Sequence, residues 1–483
     1  MRNLTVRDVL AFSVILFSFF SECCFSVETE NEFNRFLSMM QAKNPQLSAA
    51  RYRVEQALSR HEELFEFYDP EFNVAAGYTE NDRYVPQSSF SSSLEDNRIS
   101  AQAGVEAALV PGAYVSAGIE QARLFEESGY DHLFQNLFGV RVRIPLLRDK
   151  GFAIQNYKMR AAMAEYNMSV SAFLILSQQL RNQLEQVYLS CYEYLSIVQV
   201  VTKSEERFKI IAEEAKELAD LKTVPDYEVL DTVRELQISR EDLQVAKNAY
   251  EVQIIKLSEL LGEEKIIELK GDVDSFVEKA QKNLKIEYHF TMAQALQARG
   301  ISLYQKNRLE RARANHEKAL EEMRDDLSLE VGLNSRFENE NHPYGIHRDL
   351  DDNYFGGDIA IVWHRPLGYC GEKSRLAQIE SLLSEIKADM NTVKLQIFRE
   401  LKQEELNYNS AKERMVLLLR GVEAAKKTME AEQERFRLGD GSSNSVLDAQ
   451  KNMTIILRRL TVAAADLLRS QSNYCYSAGY CKE

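Results

Sequence analysis

The sequence predicts an α+β fold in which very long helices alternate with groups of β-strands, and in which this arrangement occurs twice along the chain. Three observations lead to this prediction: helix-forming residues dominate from about residue 150 onward, apolar residues recur there at coiled-coil spacing, and several shorter segments alternate apolar and polar side chains. Only 8 prolines and 20 glycines interrupt the 483 residues, which leaves room for long unbroken helices.

Composition and charge narrow the class of protein. With 45% hydrophobic and 28% charged residues, the chain has the composition of a folded protein, not of a disordered segment or a bundle of membrane helices. A formal net charge of −15 argues against binding to duplex nucleic acid, because such binding needs an excess of lysine and arginine over the acidic residues.

Residues 1–26 are expected to be a secretory signal peptide. Arg2 and Arg7 precede an apolar run over residues 9–20, and small residues lie at Cys24 and Ser26 before the expected cleavage site. The apolar run is shorter than the roughly 20 residues that a membrane-spanning helix needs, which argues against a membrane anchor. The chain is therefore expected to leave the cytoplasm.

The cysteines do not indicate a metal site. Four of the six cysteines follow the expected cleavage site, and none have the short paired spacing of zinc ligands. Cys475 and Cys481 could form a disulfide in an oxidising compartment. Cys191 lies among apolar residues at helical spacing and is expected to be packed. No metal ion and no cofactor are predicted.

Beyond the signal peptide, no stretch of 18 or more apolar residues occurs, so a mature chain in a membrane would have to span it with β-strands. Six segments alternate with period two, and each with its flanks has about the length of a membrane strand. Soluble β-sandwiches show the same alternation, so the strands alone leave both interpretations open. The segments are 73–78, 100–108, 113–121, 138–144, 327–334 and 357–363.

An internal repeat is visible as three landmarks that occur in the same order in both halves of the chain. The first is the opening of a helix, the second is a strand that ends in Pro-Leu, and the third is a Val-Leu-Asp triplet. The helix opening lies at residues 44–47 and 300–303. The Pro-Leu pair lies at residues 145–146 and 366–367, and the Val-Leu-Asp triplet lies at residues 229–231 and 446–448. This order predicts a tandem duplication.

The duplication divides the mature chain into a first repeat over 27–262, a junction over 263–285 and a second repeat over 286–483. Each repeat is expected to contain a helix, strands and a long helical hairpin. The helix over 152–220 would reach about 100 Å at about 1.5 Å per residue. Its apolar residues alternate steps of three and four, as in a coiled coil, and they are interpreted as packing residues and not as a cofactor site.

Several motifs resemble those of the TolC-like outer-membrane efflux proteins, and the resemblance covers nearly the whole mature chain. They are Asn-Pro-x-Leu at 44–47, Pro-Leu-Leu-Arg-x-x-Gly at 145–151, Phe-Arg-Leu-Gly at 436–439 and Val-Leu-Asp-Ala-Gln at 446–450. The resemblance implies a homotrimer with a shared 12-stranded β-barrel in the outer membrane, continued by a long periplasmic α-helical coiled-coil barrel. It also implies an exit duct of a tripartite efflux or type I secretion system, with a periplasmic adaptor and an inner-membrane pump as partners.

Backbone hydrogen bonding is consistent with this assembly, because four strands from one chain cannot close a barrel and an open edge in lipid leaves polar groups unpaired. Two features depart from the family pattern. The segment 100–121 is an additional hairpin in the first repeat, which leaves open which strands of that repeat enter the membrane. The first hairpin turn, at 221–226, lacks the glycine that Gly439 supplies in the second.

Two other classes of protein are less consistent with the sequence. An enzyme is not indicated, because the sequence contains no Gly-x-Ser-x-Gly elbow, phosphate-binding loop or His-Glu-x-x-His motif, and its seven histidines are scattered. A soluble periplasmic coiled-coil adaptor or scaffold would also carry a signal peptide and a helical hairpin. Adaptors normally carry one such hairpin, whereas this sequence predicts two.

The resemblance also implies two groups of functional residues. The hairpin turns are expected to dock the adaptor, and the third landmark is expected to lie at the pore constriction, where Asp448 occupies the position of an acidic ring and Asp231 is its counterpart. Ser445 and Gly441 differ from the family pattern and imply a weaker gate latch. Solvated acids near helix N-termini are the alternative interpretation. The docking residues are Lys222, Thr223, Leu438, Gly439, Asp440 and Gly441.

Overall fold

The computed structural model describes residues 27–79, 97–110, 112–125, 133–220, 225–265, 267, 269, 274–339, 354–365, 368–437 and 442–479. The chain folds into two compact units. Unit 1 comprises Met1–Val54, Ser169–Gln305 and Asp389–Glu483, and unit 2 comprises Glu55–Met168 and Lys306–Ala388. The expected signal peptide lies outside the described residues.

Helices make up most of the described chain. They are α1 (Val27–Lys43), α2 (Pro45–Glu63), α3 (Ala153–Asp220), α4 (Asp226–Leu261), α5 (Asp274–Asn283), α6 (Met292–Ala298), α7 (Gly300–Glu322), α8 (Cys370–Arg437) and α9 (Ser443–Ser477). The long helix that the sequence predicts over 152–220 is confirmed by α3, which has 68 residues. Its counterpart α8 also has 68 residues, and the returning helices α4 and α9 have 36 and 35.

None of the helices in the described part of the chain combines the length and the apolar character of a membrane-spanning helix.

The Asn-Pro-x-Leu motif marks the boundary between α1 and α2. Asn44 is buried, and its side-chain oxygen accepts hydrogen bonds from the backbone N–H groups of Gln46 (2.9 Å) and Leu47 (3.2 Å). It therefore caps α2, while Pro45 occupies the first helical position, where a missing N–H costs nothing. The amide nitrogen of Asn44 also donates to the backbone oxygen of Leu260 in the last turn of α4, at 2.9 Å. One side chain thus starts one helix and completes another.

The core of unit 1 lies along the coiled-coil spacing that the sequence predicts for α3. Leu184 and Cys191 are fully buried there, and they pack with Ile254 and Leu257 of α4 in one cluster. Burial raises the pKa of the Cys191 thiol to about 12, so the thiol stays protonated at neutral pH. The expectation that Cys191 is a packing residue is confirmed.

The predicted spacing fails at the start of α4. The coiled-coil spacing of the sequence places both Val233 and Leu236 on the packed face. Leu236 is buried there, but Val233 is exposed, and the polar residues Thr232 and Glu235 are buried. The packed face at this end of α4 therefore departs from the apolar spacing at Val233 and carries polar side chains. Glu235 is accommodated there by ion pairs with Arg234 and Lys451.

Unit 2 contains one antiparallel sheet of six strands in the order β1-β2-β3-β4-β5-β6. Each strand includes one of the six segments that the sequence predicts as strands. The resemblance implied four strands per chain, and the additional two are β2 and β3, which form the hairpin identified in the sequence. The strands are β1 (Glu71–Thr79), β2 (Asn97–Leu109), β3 (Ala113–Phe125), β4 (Leu133–Pro145), β5 (Asp326–Asn339) and β6 (Tyr354–His364).

We predict that Asn44→Ala destabilises the protein by about 2 kcal/mol, because it removes a helix cap and leaves the part-buried Leu260 carbonyl without its donor. Thermal unfolding followed by circular dichroism measures this effect. Asn44→Ser is the matched control, since its uncharged hydroxyl oxygen can still cap α2 while the bond to Leu260 is lost. A loss for the serine variant as large as that for the alanine variant would contradict the capping role.

Candidate functional sites: the two-faced sheet and the helix-hairpin ends

The sheet has one apolar and one polar face. In an antiparallel sheet, directly paired residues lie on the same face, so the strand register assigns each side chain to one side. Phe72 pairs with Val105, Val105 with Ala117, and Ile119 with Phe138. The same face continues over Val140, Leu333, Val331, Ile359, Leu329 and Ile361.

The apolar face is exposed in the isolated chain. The side chains of Phe72, Ile359 and Ile361 are 69%, 79% and 71% exposed. This exposed apolar surface extends over six strands, so its area is far larger than that of a single exposed apolar side chain. Apolar surfaces of this size mark contact with a membrane or with another protein.

The opposite face of the sheet is polar and concave. Its residues surround a hollow of about 470 Å³ to which all six strands contribute, including Asn73, Gln102, Ser116, Arg141, Asn334 and Asp358. Charged residues of both signs lie on this face, as on a surface that contacts water. A sheet with these two faces can separate an apolar medium from an aqueous one.

Glycines permit the close strand approach on the concave face. Gly104 and Gly118 lie on neighbouring strands, and a Cβ added to Gly118 would come within 3.2 Å of the Ala103 oxygen and 3.4 Å of the Gly104 Cα. Side chains on the inner surface of a curved sheet crowd one another, so glycine at these positions favours curvature.

The Pro-Leu-Leu-Arg-x-x-Gly motif forms the sharp connection from β4 to α3. Asp149, Gly151 and Phe152 all have positive φ angles, of 60°, 65° and 58°. The Asp149 carboxylate accepts a hydrogen bond from the N–H of Ile154 at 2.8 Å, which caps the first turn of α3. The motif is therefore a strand-to-helix turn in unit 2.

An aromatic cluster lies beside this turn. The Phe152 ring is only 1% exposed, and its centroid lies 5.1 Å from that of Phe67 and 5.0 Å from that of Tyr114 at the start of β3. Gly112, just before β3, has a φ of +124°, and a Cβ there would lie 2.6 Å from the Gly151 Cα. The turn of the β2–β3 hairpin is therefore held against the connection from β4 to α3.

The second candidate site is the beginning of the two returning helices in unit 1. Four helices meet near this point in one apolar cluster. It consists of Phe208 and Ile211 of α3, Leu236 of α4, Phe436 of α8, and Val446 and Leu447 of α9.

From the sequence alone, Asp226 and Ser443 are predicted to cap the two returning helices, because short polar side chains favour the first position of a helix. The structure shows different caps. Pro225 is the N-cap of α4 and makes no side-chain capping bond. Ser442 caps α9, because its hydroxyl accepts a hydrogen bond from the Ser445 N–H at 3.3 Å. The hydroxyl of Ser443 instead donates to the Glu228 carboxylate at 2.5 Å. The predicted caps are wrong by one residue, and Ser443 links the two helices.

Asp231 belongs to a chain of ion pairs that joins α4 to α9. Its carboxylate lies 3.0 Å from the Arg234 guanidinium, which also contacts Glu235 at 3.2 Å. The other oxygen of Glu235 lies 3.0 Å from the Lys451 ammonium. Glu235 is nearly buried, so its interaction with Lys451 is screened less by water than an exposed ion pair is.

Asp448 has a different environment from Asp231. It is exposed, whereas Leu447 and Ala449 on either side of it are buried. Within the described ranges, no ion pair or hydrogen bond joins Asp448 to Asp231, although Ser443 and Lys451 connect their helices. The two counterparts of the repeat are thus not equivalent.

All six predicted docking residues, from Lys222 and Thr223 to the 438–441 turn, lie outside the described residues. The same holds for Cys481, so the possible disulfide with Cys475 remains a prediction. In the part of the chain that the structure describes, no group of three or more histidine, cysteine or acidic side chains could hold a metal ion.

Sequence reasoning missed a polar layer between α3 and α9. The Arg469 guanidinium binds the Glu193 carboxylate and the Ser190 hydroxyl, and Ser472 donates to Glu185. Burial raises the pKa of Glu193, while the nearby Arg469 acts in the opposite direction. The sequence contains a signal for this layer, because polar residues interrupt the apolar spacing of both helices. Apolar periodicity does not show, however, which of these polar residues face each other.

Comparison with known proteins adds structural relatives. No protein-family model matches the chain, and no curated protein matches its sequence. Among solved structures, CusC, described in connection with transmembrane channel formation, aligns with a TM-score of 0.68 over 95% of this chain and 94% of its own, at 13% identity. The outer-membrane channel OprN aligns with a TM-score of 0.66 over 93% and 90%, at 16% identity.

The outer-membrane protein VceC of Vibrio cholerae aligns with a TM-score of 0.65 over 94% of this chain and 97% of its own, at 14% identity. At such low identity, these similarities establish a shared fold. This chain has the fold of these outer-membrane channels over almost its whole length.

We predict that Lys451→Met destabilises unit 1 by about 1 to 3 kcal/mol, because the nearly buried Glu235 loses a charged partner. The midpoint of thermal unfolding measures the loss. Lys426→Met is the control, since the pair of Lys426 with Glu430 is exposed and should contribute less than about 0.5 kcal/mol. Equal shifts for the two variants would show that Glu235 does not depend on Lys451.

Proposed function

We propose that this chain is a subunit of an outer-membrane channel that forms the exit duct of a tripartite efflux or type I secretion system, and that it is not an enzyme. One observation carries the proposal: a single sheet combines a continuous exposed apolar face with a polar concave face. A barrel wall in a membrane needs both, the first toward lipid and the second toward an aqueous lumen. The shared fold with OprN, CusC and VceC supports the same function.

The edges of the sheet support a homo-oligomer. β1 and β6 each have one side without a strand partner among the described residues, and an open edge cannot persist in lipid. Copies of the chain can pair these edges with one another, and closed rings are the usual result of such head-to-tail contacts. The family resemblance implies three copies. The 12-stranded barrel that it also implies assumes four strands from each copy.

The helices would then form the periplasmic coiled-coil barrel of the duct. The matched lengths of α3 and α8, and of α4 and α9, support a tandem duplication with repeats over 27–262 and 286–483 and a junction over 263–285. Two long hairpins per chain favour the channel over the alternative, a soluble periplasmic adaptor or scaffold.

The proposed partners are those that the family resemblance implies: outer-membrane lipid around the barrel, and a periplasmic adaptor with its inner-membrane pump. The adaptor would meet the turns that contain Lys222, Thr223 and residues 438–441. The apolar cluster of four helices and the bond from Ser443 to Glu228 support this, because they hold the beginnings of both returning helices in one place. Nucleic acid is not among the proposed partners.

Fractionation and size measurement test the proposal. The protein should sediment with the outer membrane, and light scattering in detergent should give the mass of three chains. A monomer or dimer in detergent would contradict the trimer. A protein found only in the soluble periplasmic fraction would favour the adaptor or scaffold.

A matched pair of variants tests which face of the sheet contacts lipid. Ile359→Lys puts a charge on the apolar face, at a cost of about 2 to 4 kcal/mol if that position lies near the bilayer midplane. It should therefore reduce assembly in the outer membrane. Ala360→Lys adds the same charge on the polar face opposite Glu330 and should assemble normally. The reverse order of assembly would show that the polar face contacts lipid.

We also propose that Asp448 contributes to an acidic ring at the pore constriction, with Asp231 held at α4 by its ion pair. The support is that Asp448 is exposed between two buried neighbours, so that its charge is available for a pore. Three such carboxylates at one level would repel one another and attract cations.

Single-channel recording tests this role. Asp448→Asn should reduce cation preference and block by multivalent cations, because it removes three negative charges from the trimer. Asp389→Asn, at another position on a long helix, is the control and should leave both unchanged. Unchanged conductance, cation preference and multivalent block in the Asp448 variant would assign Asp448 to the outer, solvated face of the helix.

A further inference from the structure

We propose that the β2–β3 hairpin is part of the membrane wall, so that each chain contributes six strands and a trimer closes a barrel of eighteen strands instead of twelve. This inference rests on the proposed function and concerns the composition of its membrane part. Four steps support it: strand pairing, side-chain alternation, the anchor of the hairpin turn and the directions of the edge strands.

Strand pairing places the hairpin inside the sheet. β1 pairs with β2 from Glu71 to Thr79, and β4 pairs with β3 over most of its length. No pairing between β1 and β4 occurs in the described sheet. A barrel of twelve strands would require β1 and β4 to leave β2 and β3 and to pair with each other. Both pairings would break, and backbone groups left unpaired in hydrocarbon cost several kcal/mol each.

The hairpin has the same two faces as the other four strands. Ile99 and Val105 of β2 lie on the apolar face with Val115 and Ile119 of β3. Val115 and Ile119 are in register with Val142 and Phe138 of β4. Gln102, Glu106, Ser116 and Glu120 lie on the polar face. A hairpin that lay in water outside the barrel would gain nothing from such an apolar face, whereas a strand between lipid and lumen requires it.

The turn of the hairpin is anchored where the strands of unit 2 connect to its helices. Tyr114 and Phe152 stack edge to face, and Gly112 contacts Gly151 in the connection from β4 to α3. The turn between β2 and β3 is therefore short and fixed at the end of the sheet from which the long helix begins. Short turns at the periplasmic end are typical of outer-membrane barrels.

The edge strands have the directions that closure requires. Neighbouring strands are antiparallel throughout, and six is an even number, so β1 and β6 run in opposite directions. The β1 edge of one chain can pair with the β6 edge of a second copy as another antiparallel pair, and three copies close the ring. Because barrel diameter grows roughly linearly with strand number, the lumen would be about half as wide again as that of a twelve-stranded barrel at equal tilt.

Spin labelling tests the inference. Single cysteines at Val105 and Ile119 carry a nitroxide in a background of Cys370→Ser, Cys475→Ser and Cys481→Ser, with the fully buried Cys191 retained. Trimers are reconstituted in phosphatidylcholine vesicles. Collision of the label with oxygen reports lipid, and collision with a water-soluble nickel complex reports water. Labels at Val105 and Ile119 should collide with oxygen as strongly as a label at Ile359 in β6. Labels at Gln102 and Ser116, the controls on the polar face of the same hairpin, should favour nickel.

The outcomes separate the two proposals. If Ile359 reports lipid while Val105 and Ile119 report water, the hairpin lies outside a twelve-stranded barrel, and the channel function stands. If Ile359 also reports water, the membrane channel itself is wrong. Electron cryomicroscopy of the unlabelled trimer is the independent measurement, because a cross-section through the barrel should contain eighteen strands, and twelve would overturn the inference.

Discussion

The two open edges of the sheet constrain this protein more than any other feature. A strand edge presents a row of backbone N–H and C=O groups, and water can satisfy them whereas lipid cannot. Within the described residues, β1 pairs only with β2, and β6 only with β5. The apolar face favours a membrane, but the edges forbid one chain from entering it alone. In the proposed channel, assembly and membrane insertion are therefore linked by the same set of backbone groups.

The helices of unit 1 follow a different constraint, which is the need to keep long surfaces in register. Apolar side chains such as Leu184 and Leu257 supply most of the burial, but similar apolar residues along two long helices permit more than one alignment. Polar contacts specify one of them, because Glu193 meets Arg469 and Glu235 meets Lys451 in only one register. Buried polar groups of this kind contribute less to stability than to the choice of a single arrangement.

The sequence predicts the elements well because their signals are local. Each of the six alternating segments is part of a strand, and the helix from Ala153 to Asp220 matches its prediction within one residue. The pairing of the strands was not predictable, because alternation shows that a segment has two faces and does not show its neighbours. The hairpin at 100–121 was therefore recognised as a strand pair without a known position in the sheet.

The candidate site was predicted less well, for physical reasons that differ from residue to residue. Asp231 and Asp448 occupy equivalent positions in the sequence, and each has a basic residue three positions later on its helix. Arg234 pairs with Asp231, however, whereas Lys451 pairs with Glu235 of α4, so the two environments differ. Val233 was expected to be buried because of its spacing, but the buried Glu235, which pairs with Lys451, faces α9 there. The choice between Ser442 and Ser443 as the cap depends on backbone angles that the sequence does not specify.

The contact between Asn44 and Leu260 also has a consequence for the order of folding. The two residues are 216 positions apart, so the amide that starts α2 obtains its second partner only when the end of α4 is in place. Contacts between residues so far apart in the chain form late, because chain entropy must be lost before they form. The boundary between α1 and α2 is therefore expected to reach its final arrangement late in the folding of unit 1, although Asn44 precedes α4 in the chain.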